Sequence, residues 1–292
     1  MRLRVKTERL CFDGTYVLFR VYTSEDGNVS RRVAFVNSPL GDVESWDALC
    51  RILASQGCLC VAFELPGFGH TPVKAPQDNI TRASILWGVL DEVDIKRDEP
   101  NSRWHLVSHG SGCGVTLEMT RTQTESVLSR VLISPVTHRF NYNRRSYSLS
   151  RFRRWLYTTR YNFYAERPGR FFTRLQKLYG SDLSQERLEK LSREFFRSRR
   201  IDTLFDLFEK GYWLHRDSLA IESPLMLIWG KNDPFGQRPD EQLMQSLGEV
   251  EVHYINSAHM SMETMPQEIS EYLKGWFDFN EGRTKSPSKK KG

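Results

Sequence analysis

Long apolar runs are missing from this chain: none approaches the roughly 18 residues that a membrane-crossing helix needs. The N-terminus, Met1-Arg-Leu-Arg-Val-Lys6, has no apolar core of a secretory leader and enters strand-like alternation at once. An intracellular setting follows as the expectation, in cytosol or an organelle matrix. Cysteine is scarce, with five in 292 residues at 11, 50, 58, 60 and 113. Cys58-x-Cys60 falls inside an apolar, buried-type stretch and makes a poor metal or disulfide pair. Buried reduced thiols are expected, and no metal or cofactor is assigned. No internal repeat is visible.

Aromatic residues are plentiful. Seven Trp, seventeen Phe and eleven Tyr argue for a packed core, and the length suits one α/β domain, or one with an insertion. The net charge of +6 is unevenly distributed. Residues 138–177 carry ten Arg and one Lys against one acid, Glu166, and residues 280–292 add another +4. The rest of the chain is therefore near −8, so the positive charge belongs to two segments.

Residues 2–11 and 15–23 alternate around Asp13-Gly14, the pattern of a hairpin. Strands follow at 32–37, 58–63, 104–108, 127–133, 224–229 and 250–255. Helical patterns lie between them at 44–56, 79–95, after 113, at 238–247 and at 266–277. Strands alternating with helices predict a mostly parallel, doubly wound sheet of about eight strands covered on both faces. Residues 138–222 break the rhythm with a helical, Arg- and aromatic-rich insertion. The expected organisation is a core of 1–137 and 223–279, a cap at 138–222 and a flexible basic tail at 280–292.

Arg103-Trp-His-Leu-Val-Ser-His-Gly-Ser-Gly-Cys113 is the stretch on which function turns. An apolar strand runs into small residues and then a helix, the setting of a nucleophile elbow. In the frame Ser108-His109-Gly110-Ser111-Gly112 the nucleophile position holds Gly110, which has no side chain to attack with. Shifting the frame by one to make Ser111 the nucleophile puts a bulky imidazole where strand and helix need a small residue. Ser111 instead opens the helix, its N–H placed to stabilise an anion. Cys113 on the first turn could be activated there, but helix geometry turns it from the elbow tip and favours a packing thiol.

Further motifs accompany the elbow: Asn37-Ser-Pro-Leu-Gly41, Glu64-Leu-Pro-Gly-Phe-Gly-His70, Ile228-Trp-Gly-Lys-Asn-Asp-Pro234 and Ser257-Ala-His-Met260. With them the chain resembles, over about residues 1–279, the α/β-hydrolase fold, specifically its cap-bearing branch of epoxide hydrolases, C–C bond hydrolases and small esterases. The resemblance implies that Asp233 and His259 stand at the triad's acid and histidine, a pair in which the carboxylate fixes the ring's tautomer. It also exposes departures. Gly110 removes the attacking atom. Ser38 stands where the family usually has glycine, crowding the backbone approach that forms half of an oxyanion hole; Ser38 and Ser111 are the residues at that hole.

The insertion and tail point to an anionic partner through Arg144, Arg145, Arg151, Arg153, Arg154, Arg160, Lys289, Lys290 and Lys291. Arginine beside aromatics suits a larger assembly, RNA, an anionic small molecule or an anionic membrane surface. The reading that unites these features is a catalytically degenerate hydrolase-fold protein that binds, as a subunit or adaptor. Two alternatives stand beside it. One is a cofactor-free enzyme using Asp233–His259 as a general base. The other is a ligand sensor using the former pocket.

Overall fold

A computed structural model describes residues 2–12, 14–73, 77–99, 102–135, 151–171, 176, 183–197, 201–203, 223–234 and 250–282. The helix expected over 238–247, the residues Arg144 and Arg145, and the tail with Lys289, Lys290 and Lys291 lie outside them.

Eight strands form one sheet: β1 (Leu3–Phe12), β2 (Thr15–Ser24), β3 (Arg31–Val36), β4 (Cys58–Phe63), β5 (Trp104–His109), β6 (Val127–Ile133), β7 (Leu225–Gly230) and β8 (Glu251–Ile255). Their order is β1-β2-β4-β3-β5-β6-β7-β8. β1 and β2 form the hairpin, in register from Phe12–Thr15 to Leu3–Ser24, and β2 runs antiparallel to β4. All pairings from β4 onward are parallel. The apolar runs of β4 and β7 are buried along their whole length, as strands covered on both faces must be.

Helices α1 (Asp47–Ser55) and α6 (Pro266–Asn280) cover one face; α2 (Asn79–Ile95) and α3 (Cys113–Thr122) contribute to the layer on the other. Between β6 and β7 the described chain forms α4 (Arg151–Glu166) and α5 (Gln185–Arg197). α6 continues three residues past its expected end at Phe277. Two expectations fail on burial. Ile80, which the apolar pattern Ile80, Ala83, Leu86, Val89 and Leu90 of the 79–95 helix puts with the buried residues, lies in the first turn of α2 and is 57 % exposed. Cys11, on the edge strand β1, is an exposed thiol rather than a buried one. Cys50, Cys58 and Cys60 share one core layer. Among the described residues no helix is long and apolar enough to cross a membrane.

Candidate functional site

Parallel strands in register end together, and this gathers the site. Val36 of β3 lies beside Ser108 of β5, His109 beside Ile133, Ile133 beside Ile228, and Gly230 beside Ile255. The loops leaving these ends carry Ser38, Gly110, Asp233 and His259 to one edge of the sheet, where α/β sheets place ligands.

β5 runs one residue beyond the expected Ser108, to His109. The turn from extended to left-handed backbone therefore falls on Gly110, at φ +54°, a conformation that costs a residue with a side chain about 1–2 kcal/mol. Ser111 and Gly112 complete a 3-10 turn that leads into α3. Gly112 is required sterically, since a Cβ there would lie 2.2 Å from the Asn37 carbonyl oxygen. Half-buried Ser111 is the middle residue of that turn.

The Asp233 carboxylate accepts a hydrogen bond from His259 Nδ1 at 2.9 Å, and both side chains are buried. With the proton on Nδ1, Nε2 carries the lone pair of the neutral ring and is the atom that can act as a base. It faces Gly110: a Cβ on Gly110 would stand 3.4 Å from His259 Nε2, 3.1 Å from Ser38 Cβ and 3.6 Å from Ser38 Oγ. The three positions singled out for a triad, with Ser38, thus converge within a few ångströms.

His109 joins them, although its sequence context marked it only as bulky. Its Nε2 donates to the His259 carbonyl oxygen at 3.0 Å, so its Nδ1 must accept, and Ser38 Oγ donates to it at 3.2 Å. The two imidazoles lie 4.4 Å apart. Burial, and then the adjacent His259, pushes the His109 pKa well below the ordinary histidine value, so the ring stays neutral. The available signal was the second of two histidines in a strand buried along its whole length.

An alpha/beta hydrolase family model matches residues 35–272. The chain belongs to the alpha/beta hydrolase family. Solved structures agree in fold. A membrane phospholipase A described as a bacterial virulence factor superposes with a TM-score of 0.75 at 18% identity, over 95% of this chain and 87% of that one. Cfl2 from Burkholderia cenocepacia gives 0.74 at 19% identity, over 94% of this chain and 96% of that one. The epoxide hydrolase VrEH1 from Vigna radiata gives 0.68 at 18% identity, over 94% and 98%. At such identities the likeness is one of fold. No curated protein sequence matches the chain.

Other groups of this hydrolase-family chain stand apart from the site chemistry. Cys113 at the start of α3 is buried, and burial pushes its thiol up to about 12, so the helix terminus supplies no thiolate at neutral pH. Among the described residues no cluster of three His, Cys, Asp or Glu side chains could hold a metal. Arg187 of α5 ties the segment after β6 to the rim of the site. Its guanidinium donates to Asp42 at 2.7 and 2.8 Å, to Glu263 at 2.9 and 3.0 Å and to Ser45 at 3.0 Å. Burial alone would raise the Asp42 pKa, but the Arg187 charge prevails and holds it below the usual carboxylate value. Nearby, buried Glu64 contacts His70 Nδ1 at 3.0 Å, and His70 Nε2 lies 3.5 Å from Glu194 of α5. Arg151, Arg153, Arg154 and Arg160 are all exposed on α4.

Proposed function

We propose that this alpha/beta hydrolase family member no longer performs serine-hydrolase chemistry and acts by binding, as a subunit or adaptor whose contact surface is the Arg-rich cap of residues 138–222 together with the basic tail. The observation that carries the reading is Gly110 at the point toward which His259 Nε2 is aimed. An acyl-enzyme needs an attacking oxygen or sulfur there, and glycine offers neither. Ser38 Oγ is turned to His109 Nδ1 instead. Its side chain also narrows the space in which an oxyanion would be held, a contribution of about 3 kcal/mol in working hydrolases.

Two measurements test this. Purified protein should hydrolyse p-nitrophenyl acetate and butyrate no faster than its His259→Ala variant. In gentle lysate the chain should run as a particle much heavier than its 34.1 kDa, shrinking at high salt as screened cation contacts do. Saturable, His259-dependent ester turnover by a lone monomer would overturn the proposal.

The retained Asp233–His259 hydrogen bond supports a second reading, a nucleophile-free general base acting on an anionic small molecule. It expects substrate proton exchange that His259→Ala abolishes and Gly110→Ala only obstructs.

A further inference from the structure

We propose that α4 is a docking helix for an anionic lipid surface. Phe152, Trp155, Leu156 and Phe163 are spaced i, i+3, i+4 and i+11, which places them on one helical face within an arc of roughly 100°. That face is turned to solvent: the four side chains are 68 %, 61 %, 38 % and 37 % exposed. The opposite face is anchored. Tyr161, 8 % exposed, packs against Phe195 and Phe196 of α5 with ring centroids 6.2 and 5.0 Å away. The helix is therefore mounted with its apolar line outward, the reverse of a helix that completes a core.

Charge flanks this line. Arg151 lies on one side of it, Arg153 and Arg160 on the other, and within α4 no cation interrupts it. Arg167 and Arg170, just past the helix, set their guanidiniums 4.9 and 5.4 Å from the Phe163 ring. Glu166 is the one acid in residues 151–171, against six arginines. Within the arc Thr159 turns its hydroxyl back to the Trp155 carbonyl at 3.0 Å, and Glu166, at the far end, pairs with Arg167 at 3.5 Å; a mainly apolar stripe with arginines on both shoulders suits a bilayer interface. Aromatic and aliphatic side chains enter the headgroup boundary, and long cationic chains reach back to lipid phosphates. A nucleic acid asks for cations along the middle of the contact and bases stacked between them, and Leu156 offers no stacking surface.

The inference rests on the proposed role of the Arg-rich segment as a contact surface and names its partner. The test is sedimentation of the full chain with vesicles of phosphatidylcholine alone and of phosphatidylcholine mixed with phosphatidylglycerol. The chain should partition to the mixed vesicles, weakly or not at all to the neutral ones, and less as salt rises. Phe152→Ser with Trp155→Ser should lower the partition about tenfold or more, and Arg153→Glu with Arg160→Glu should abolish the preference for phosphatidylglycerol. All four residues are exposed, so near-native melting of both variants is expected and is checked in parallel. Absence of partition to mixed vesicles overturns the inference, as does partition that the apolar double variant leaves unchanged. Retention of single-stranded RNA without vesicle binding would assign the face to nucleic acid instead. A salt-sensitive particle in lysate that ignores vesicles sinks this inference alone. Esterase turnover by a monomer that nevertheless sediments with vesicles sinks only the adaptor reading.

Discussion

Gly110 and His259 together make a reversible experiment possible at the scale of single residues. If the proposed reading holds, Gly110→Ser alone should show no esterase turnover, because the new Cβ would press on Ser38 Cβ at 3.1 Å, and the left-handed backbone should lower stability by about 1–2 kcal/mol. Pairing Gly110→Ser with Ser38→Gly removes the obstruction and restores the small residue that an oxyanion loop favours. That double variant should hydrolyse p-nitrophenyl acetate and be labelled by a fluorophosphonate, and adding His259→Ala should abolish both. A double variant that folds and takes up no fluorophosphonate would show that the site has diverged beyond its nucleophile. Sequence revealed the glycine and the Asp–His pair because each stands in a recognisable turn. It did not reveal His109, whose role depends on a contact with the His259 carbonyl across 150 positions of chain.

Among the elements, the strands were the most legible, because β4 and β7, buried on both faces, must be apolar at every position and so stand out in any window. The ion pairs between elements were not, since a charged residue in a helix reads as solvated until its partner is known. Arg187 is the case in point: in α5 it looks like one more surface arginine, yet its side chain is 15 % exposed and meets Asp42 and Glu263, at 6 % and 8 %. Breaking such a buried cluster from one side leaves carboxylates unpaired. Arg187→Ala should therefore cost about 3–5 kcal/mol in denaturant unfolding. The pH dependence has a definite sign. Asp42 has a depressed folded pKa, so its contribution is complete above the unfolded carboxylate value near 4 and is lost as pH falls through the lower folded value. The stability gap between the native chain and Asp42→Asn should thus be constant above about pH 5 and close in stronger acid. A gap that widens on acidification would contradict the assignment of Arg187 as the partner that matters.

At the scale of the whole molecule, the two ends of the sheet carry different burdens. The ends of the strands where Ser38, Gly110, Asp233 and His259 gather form the candidate site, whereas the opposite ends of β3 and β5 meet α6 and the residue after it. Arg31 at the start of β3 donates to Asp278 at 2.6 Å and to Glu281 at 3.1 Å. His105 near the start of β5 contacts Glu281 Oε1 at 3.1 Å and Ser129 Oγ at 2.8 Å while stacking on Phe277. Glu281 therefore belongs to the folded body, although composition alone assigned it to a polar tail beginning at residue 280. Local sequence could not show this, because the partners of Glu281 lie more than 170 positions upstream. Two truncations separate body from tail. Ending the chain after Gly282 removes Arg283, Lys285, Lys289, Lys290 and Lys291 and keeps Glu281, and under the proposed function salt-sensitive association should weaken. Ending it after Asn280 also removes Glu281, takes the charged partner from His105 and one of two from Arg31, and should cost about 2 kcal/mol more. Equal melting of the two truncated chains would mean that the Glu281 contacts add nothing to stability, and that the folded body stops with α6.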